Sequence, residues 1–156
     1  MILLFIYLLA MVCWIGGIIF FSFFTMPSVF GALARPDAGK VASVIFPRYY
    51  ILGYVAGGIA FFLAIYLLIN WNGPRLWWLA SVLTLGIALG CTLYAGLVIR
   101  PRVDAIRTVS EQENPDPATK AEFDNLHKLS VQLNGAVLLL DLIALFGTAA
   151  ALAPRV

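Results

Sequence analysis

Apolar residues gather along this chain into four blocks, set apart by polar stretches that hold nearly all of the charge. The blocks run over 2–26, 49–70, 76–99 and 129–152, and each reaches the roughly 20 residues needed to cross the hydrocarbon core of a bilayer. None contains Lys, Arg or Glu, and the single charge within them is Asp141. Hydrocarbon offers backbone N–H and C=O groups no partner, so such a block must close its hydrogen bonds internally as a helix. The pattern predicts an all-α chain, an integral membrane four-helix bundle forming a single membrane domain over 1–156.

Composition agrees with this pattern. Hydrophobic residues make up 62% of the 156 positions and charged residues 12%, against roughly 25% charged in a soluble domain. Ala32-Leu33-Ala34 matches a signal-peptide cleavage pattern. The apolar run before it is far longer than the roughly 7–15 residues of a signal core, and no basic residue precedes it. The first block is therefore expected to stay as a span.

The basic residues orient the spans. Arg35, Lys40 and Arg48 fall in the first loop, and Arg100, Arg102, Arg107, Lys120 and Lys128 in and around the third. Four crossings put these loops on one side, leaving Arg75 and Arg155 on the other. The expected arrangement is a bacterial inner-membrane protein with loops 1 and 3 in the cytoplasm and both termini outside. The net charge of +2 is ordinary for such a chain and points to no nucleic-acid partner. The bilayer itself is the expected partner.

The loops carry their own signals. Trp71-Asn72-Gly73-Pro74 reads as a tight outer turn, with Trp71, Trp77 and Trp78 placed for the headgroup layer. In loop 1, Pro36 and Asp37 suit a first helical turn, and Val41, Val44, Ile45 and Phe46 form an apolar face. A short interfacial helix is expected there, ended by Pro47, with Arg48-Tyr49-Tyr50 opening span two. In loop 3, Asn114 and Asp116 are capping residues and Pro117 fits a first turn. Helix four should start near residue 117, well before it enters the membrane, and span three should run past Arg100, with Pro101 able to kink it. Pro36-Asp37, Lys40 and Arg48 recur, at nearly the same spacing, as Pro115-Asp116, Lys120 and Lys128, as a duplicated two-helix hairpin would give. Gly16-Gly17, Gly53-x-x-x-Gly57 and Gly86-x-x-x-Gly90 are expected to be close-packing sites.

Candidate chemistry concentrates on helix four. At 100° per residue, His127, Ser130, Asn134, Asp141 and Thr148 share an arc of about 60°, with Phe123, while Gln132 lies about 140° from His127. Such a stripe must face the bundle, because lipid would leave it unsatisfied. A carboxylate at mid-membrane costs about 2.5–3.5 kcal/mol even on the gentler insertion scale. Two roles fit Asp141: a titrating or binding group, or a hydrogen-bonding partner for Tyr7, Tyr54, Thr84, Thr92 or Tyr94. The candidate solute- or ion-binding set is Asp141, Asn134, Ser130, His127, Tyr54 and Tyr94. Arg48, Arg100 and Arg102 form a basic collar at the cytoplasmic ends of helices two and three, suited to topology and headgroup contact or to pairing with Asp104, Glu122 or Asp124.

Metal and redox chemistry find thinner support. The single histidine cannot supply both axial ligands of a bis-histidine haem, and no Cys-x-x-Cys-His appears. Met11, Cys13, Met26 and Cys91 are the soft candidates for copper(I), in a spacing that matches no metal pattern. Otherwise Cys13 and Cys91 read as buried thiols. No cofactor is assigned, and no nucleophile triad, phosphate loop or zinc-protease helix is present, so a non-enzymatic protein is expected.

Trp14-x-Gly16-Gly17, Pro27, Phe46-Pro47-Arg48-Tyr49-Tyr50, Arg100-Pro101-Arg102 and Phe123-x-x-Leu126-His127-x-x-Ser130-x-x-Leu133-Asn134 together resemble the transmembrane protein 205-like family of small four-helix membrane proteins. The resemblance spans nearly the whole chain. Through a namesake linked to platinum-drug resistance, and a distant likeness to copper-resistance D membrane proteins, it implies metal or small-solute handling. Members of that family often carry a histidine early in helix one, where this chain has Tyr7, which counts against a metal or haem there. Three functions follow as expectations: binding or moving a small solute or ion through the helix-four stripe; docking as an assembly factor on a larger membrane complex; and haem- or copper-linked redox work. Four short helices enclose little volume, so transport would call for a homodimer or larger assembly.

Overall fold

The computed structural model describes residues 1–71, 75–110 and 116–153. The expected turn at Asn72, Gly73 and Pro74, the loop-3 residues Asn114 and Pro115, and Arg155 lie outside them. Four long apolar helices carry the described chain: α1 (Ile2–Ala32), α2 (Arg35–Asn70), α3 (Arg75–Arg107) and α4 (Pro117–Leu152). Each is long and apolar enough to cross a bilayer. The protein is an all-α, multi-pass membrane protein.

Successive helices run antiparallel. Tyr7 of α1 meets Thr148 of α4, and Ser22 meets Asn134. Ser81 of α3 donates to the Ala144 carbonyl of α4. One end of the bundle gathers Arg35, Arg48, Arg100 and Arg107, and the other gathers Trp71, Trp77 and Trp78. They are called here the basic end and the tryptophan end.

The core is built on unequal partners. Tyr7, Met11, Trp14 and Ile18 give α1 a bulky buried stripe, and α2 answers with Ala56, Ala60 and Ala64. Gly53 and Gly57 continue that small-residue face under the Trp14 indole. The expected glycine packing at 53 and 57 thus receives a tryptophan rather than a bare helix backbone. Gly86 faces Phe61, whereas Gly16 and Gly90 face open space. The opposite faces carry exposed Phe, Leu, Ile and Val side chains, which hydrocarbon would cover.

Three features differ from the sequence expectation. The expected loop-1 helix and span two are one helix, and Pro47 does not end it: α2 runs unbroken from Arg35 to Asn70. A proline deprives one carbonyl of its bond, but aromatic contacts hold both sides of the break. Phe46 packs on Phe21 and on Tyr50, and Tyr49 stacks on Phe21 at 4.2 Å. Trp78 is fully buried within the bundle rather than turned out toward headgroups, its ring 5.7 Å from Tyr7 and 5.8 Å from Trp71. Cys13 is exposed on α1 rather than buried. The extensions of α3 past Arg100 and of α4 back to Pro117 are as expected, and Asp116 caps α4 by accepting from the Thr119 N–H at 3.2 Å.

Both α1 and α3 widen into π-helical turns, at Phe20–Thr25 and Ala95–Ile99. A proline follows each, Pro27 and Pro101. Proline removes the bond to the carbonyl four residues back and crowds it, and a wider turn relieves that strain. Thr25 reinforces the first by donating to the Phe20 carbonyl at 3.2 Å. α2 and α4 are each 36 residues long.

Candidate functional site

Three polar layers stand on the inward face of α4, seven residues apart. Seven residues are about two turns, or about 10 Å of helix. The layer nearest the tryptophan end is Thr148, whose hydroxyl donates to the Ala144 carbonyl at 2.8 Å. That hydroxyl has one proton, so the 2.7 Å bond between Thr148 and Tyr7 is donated by Tyr7. Both side chains are buried.

The layer nearest the basic end is Asn134. Its carbonyl oxygen accepts from the Tyr49 hydroxyl of α2, and its amide donates to Ser22 Oγ of α1 at 2.7 Å. Ser22 sits within the first π turn, and Ala95, which lines the same cleft, opens the second. Tyr49, Tyr50, Cys91, Thr92, Ala95, Leu133, Asn134 and Val137 surround a space of about 10 Å³ there, near the lower limit for one water. π turns are frequent at functional sites; here the second lines the cleft at Ala95, and the first reaches Asn134 through Ser22.

Asp141 lies between these layers. It is 0% exposed, and neither carboxyl oxygen has a hydrogen-bond partner among the described residues. Tyr7, bonded to Thr148, stands in the layer on one side of it, and Tyr49, bonded to Asn134, in the layer on the other. The antiparallel pairs Tyr7–Thr148 and Ser22–Asn134 put Trp14 and Ile15 level with it on α1. α2, paired at Tyr49–Asn134, puts Ala56 there. α3, paired at Ser81–Ala144, puts Thr84 and Leu85 at that level. A buried polar group left unpaired costs about 1–3 kcal/mol, and more if charged.

The remaining sequence candidates scatter. Ser130 lies beside the Tyr50 hydroxyl. Tyr54 packs over Gly96 next to Tyr50, away from the Asp141 layer. Tyr94 is 47% exposed and belongs to no inward cluster. Thr84 and Thr92 donate to their own helix, at Ala80 and Ala88. His127 is exposed at the basic end and stacks on Phe123. The arginines at the basic end make separate contacts. Arg48 donates to Val44 of its own helix at 2.9 Å, Arg100 pairs with Asp104 at 3.0 Å, and Arg102 is exposed. Arg107 donates to the Gly39 carbonyl at 2.8 Å, tying α3 to the start of α2.

The soft-metal set does not converge. Met11 is fully buried while Cys13, two positions on, is exposed. Residues two apart on a helix do not share a face. Cys91 lines the basic-end cleft, and no cluster of three His, Cys, Asp or Glu side chains occurs among the described residues.

Sequence reasoning missed Ser22 and Tyr49 as partners of Asn134, and it missed the paired π turns. The prolines at 27 and 101 were their signal, each set two residues beyond its widened turn.

The model of a family described as a domain of unknown function, DUF4149, matches residues 9–112. That stretch takes in most of α1 and all of α2 and α3, and stops before Asp141. A protein of Aquifex aeolicus (strain VF5), described as an uncharacterized protein, is 32% identical over 125 residues, 79% of this chain and 79% of that one. No solved structure matches the chain. The matched stretch covers well over half of the length, and the chain belongs to the DUF4149 family.

Proposed function

We propose that this protein binds a small cationic solute within the membrane, with Asp141 as the binding carboxyl group and the Asn134 cleft as its approach from the basic end. One observation carries the reading: a fully buried carboxyl group, both oxygens unpartnered among the described residues, between two hydrogen-bonded polar layers. Ionisable groups inside spans are costly and mark ion paths or proton relays. The polar layers on either side of Asp141 carry hydroxyl and amide oxygens, a hard set that suits protons and hard cations rather than copper(I). That chemistry places the platinum and copper connections of the transmembrane protein 205-like resemblance second to a hard-cation role. The protein acts without catalysing a reaction, in the bacterial cytoplasmic membrane, with the basic end inside and both termini outside.

The test uses dicyclohexylcarbodiimide, an apolar reagent that enters hydrocarbon and couples to protonated carboxyl groups. Labelling of Asp141, read by peptide mass, should be slowed by an added monovalent cation or by raising the pH. Labelling indifferent to both would leave Asp141 as a packing residue and favour the scaffold role in a larger complex.

A further inference from the structure

We propose that the hairpin of α2 and α3 holds one anionic phospholipid at the tryptophan end, its phosphate against Arg75 and an acyl chain in the groove between the two helices. The site is separate from Asp141 and stands whatever that residue does.

The lining names the ligand. Leu68 and Ile69 at the end of α2, with Arg75, Leu76 and Leu79 at the start of α3, bound an open groove of about 600 Å³. Small-ligand sites occupy roughly 300–1,000 Å³. Every lining side chain but Arg75 is aliphatic, and no hydroxyl, amide or carboxylate joins them. Such a groove matches a hydrocarbon chain with one negative charge at its end. Ile69 is 67% exposed and Leu76 72%. The neighbouring rings turn elsewhere, Trp71 onto buried Trp78 and Trp77 onto Phe146 of α4, so no aromatic side chain lines the groove.

Length fits as well. On α3 the exposed line continues from Leu76 and Leu79 through Leu83 to Ile87, about three turns or about 16 Å of helix. That is close to half of a hydrocarbon core of about 30 Å, the depth spanned by the chains of one leaflet. On α2, exposed Ile69 is followed one and two turns deeper by exposed Tyr66 and Phe62.

Charge singles out Arg75. Among the described residues it is the one basic side chain at the tryptophan end. The described acidic side chains lie at the basic end, apart from buried Asp141, and no described residue bonds or pairs with the Arg75 guanidinium. Arg75 also opens α3, where the helix dipole disfavours a cation, so helix stability does not account for it. A phosphate supplies the missing counter-charge, and a guanidinium takes it through paired N–H donors. A second copy of the chain suits the groove less well, because a two-fold interface there would bring two Arg75 side chains together.

The full-length protein in detergent micelles is given phosphatidylglycerol or phosphatidylcholine of the same acyl chains, and bound lipid is counted by native mass spectrometry. One phosphatidylglycerol should be retained about fivefold better than phosphatidylcholine, the worth of about 1 kcal/mol for one basic residue near anionic headgroups. Arg75→Gln should bring the two lipids to parity. Leu79→Trp, which fills the groove and leaves Arg75 in place, should lose the retained lipid. Lys128→Gln, exposed at the basic end, should keep the wild-type preference. Circular dichroism should match across the four proteins, and Arg75→Gln, at an exposed position, decides by itself should Leu79→Trp fail to fold. Equal retention of both lipids by the wild type marks an unselective lipid coat and overturns the proposal. So does a preference lost equally in Lys128→Gln, which marks a general charge effect. A preference that survives Arg75→Gln overturns the role of Arg75, and one that survives Leu79→Trp overturns the groove. A lipid-free dimer as the main species assigns the face to a second copy instead.

Discussion

The indole of Trp14 occupies the room that a side chain at Gly57 would need: a methyl group there would lie 2.7 Å from the ring. That contact joins α1 to α2 at the level of Asp141, and it is backed by Gly53 and Ala56. Gly57→Ala must push the ring or part the helices, and overpacking of this kind costs about 1–3 kcal/mol. Gly58, one position on, faces open space. Gly58→Ala should be neutral or slightly stabilising. Unfolding in mixed detergent micelles, followed by circular dichroism, separates the two.

The Tyr7–Thr148 bond closes the bundle between its first and last helices. Hydrogen bonds between membrane helices average about 0.6 kcal/mol and reach about 1.7. Tyr7→Phe should cost an amount in that range, because the ring keeps its contact with Trp78 and Thr148 keeps its bond to Ala144. Thr148→Val should cost no less, since it leaves the Tyr7 hydroxyl buried without an acceptor. The same unfolding assay checks both.

Asp141 is predicted to oppose stability. With no partner for either oxygen among the described residues, replacing it by a leucine of similar bulk removes an unpaired polar group. Asp141→Leu should raise the unfolding free energy by about 1–3 kcal/mol, and the midpoint with it, and should abolish carbodiimide labelling. A residue that weakens the fold where it stands is what a stability–activity trade-off leaves at a working site. A lowered midpoint would identify Asp141 as a packing group.

The distribution of basic residues predicts which end meets the cytoplasm. In a Cys13→Ala, Cys91→Ala background, a cysteine placed at Lys40 should resist a membrane-impermeant maleimide in intact cells and react once the cells are opened. A cysteine at Ile2, exposed at the start of α1, should react in both. The reverse pattern would invert the topology and with it the side from which the Asn134 cleft is entered.

Much of the architecture is legible because hydrocarbon leaves few options. The four apolar blocks had to be helices, and the cost of a carboxyl group in lipid already turned Asp141 inward. The lone stripe on α4 was readable from its period. Its partners were not, because a helical period says which face is polar but not which residue of another helix stands opposite. Ser22 and Tyr49 reach Asn134 only through the register of three packed helices. Pro47 misled because its effect on a helix was read without the rings of Phe46 and Tyr49 that hold its two sides together. The wrong face of Cys13 could have been avoided: Trp14 and Met11 claim the interior by their spacing, which leaves position 13 pointing out.

The widened turns at Phe20–Thr25 and Ala95–Ile99 have a consequence for how the chain tolerates insertions and deletions. Each holds an extra residue, so the helix beyond it is out of phase by close to a third of a revolution with the helix before it. Removing one residue inside Phe20–Thr25 should let that stretch settle into ordinary helix and leave the stripe from Tyr7 to Ile18 seated. Removing one between Met11 and Trp14 would swing half of that stripe toward the lipid. The two ends of α1, and of α3, are thereby free to change their neighbours separately, each behind its own slack turn.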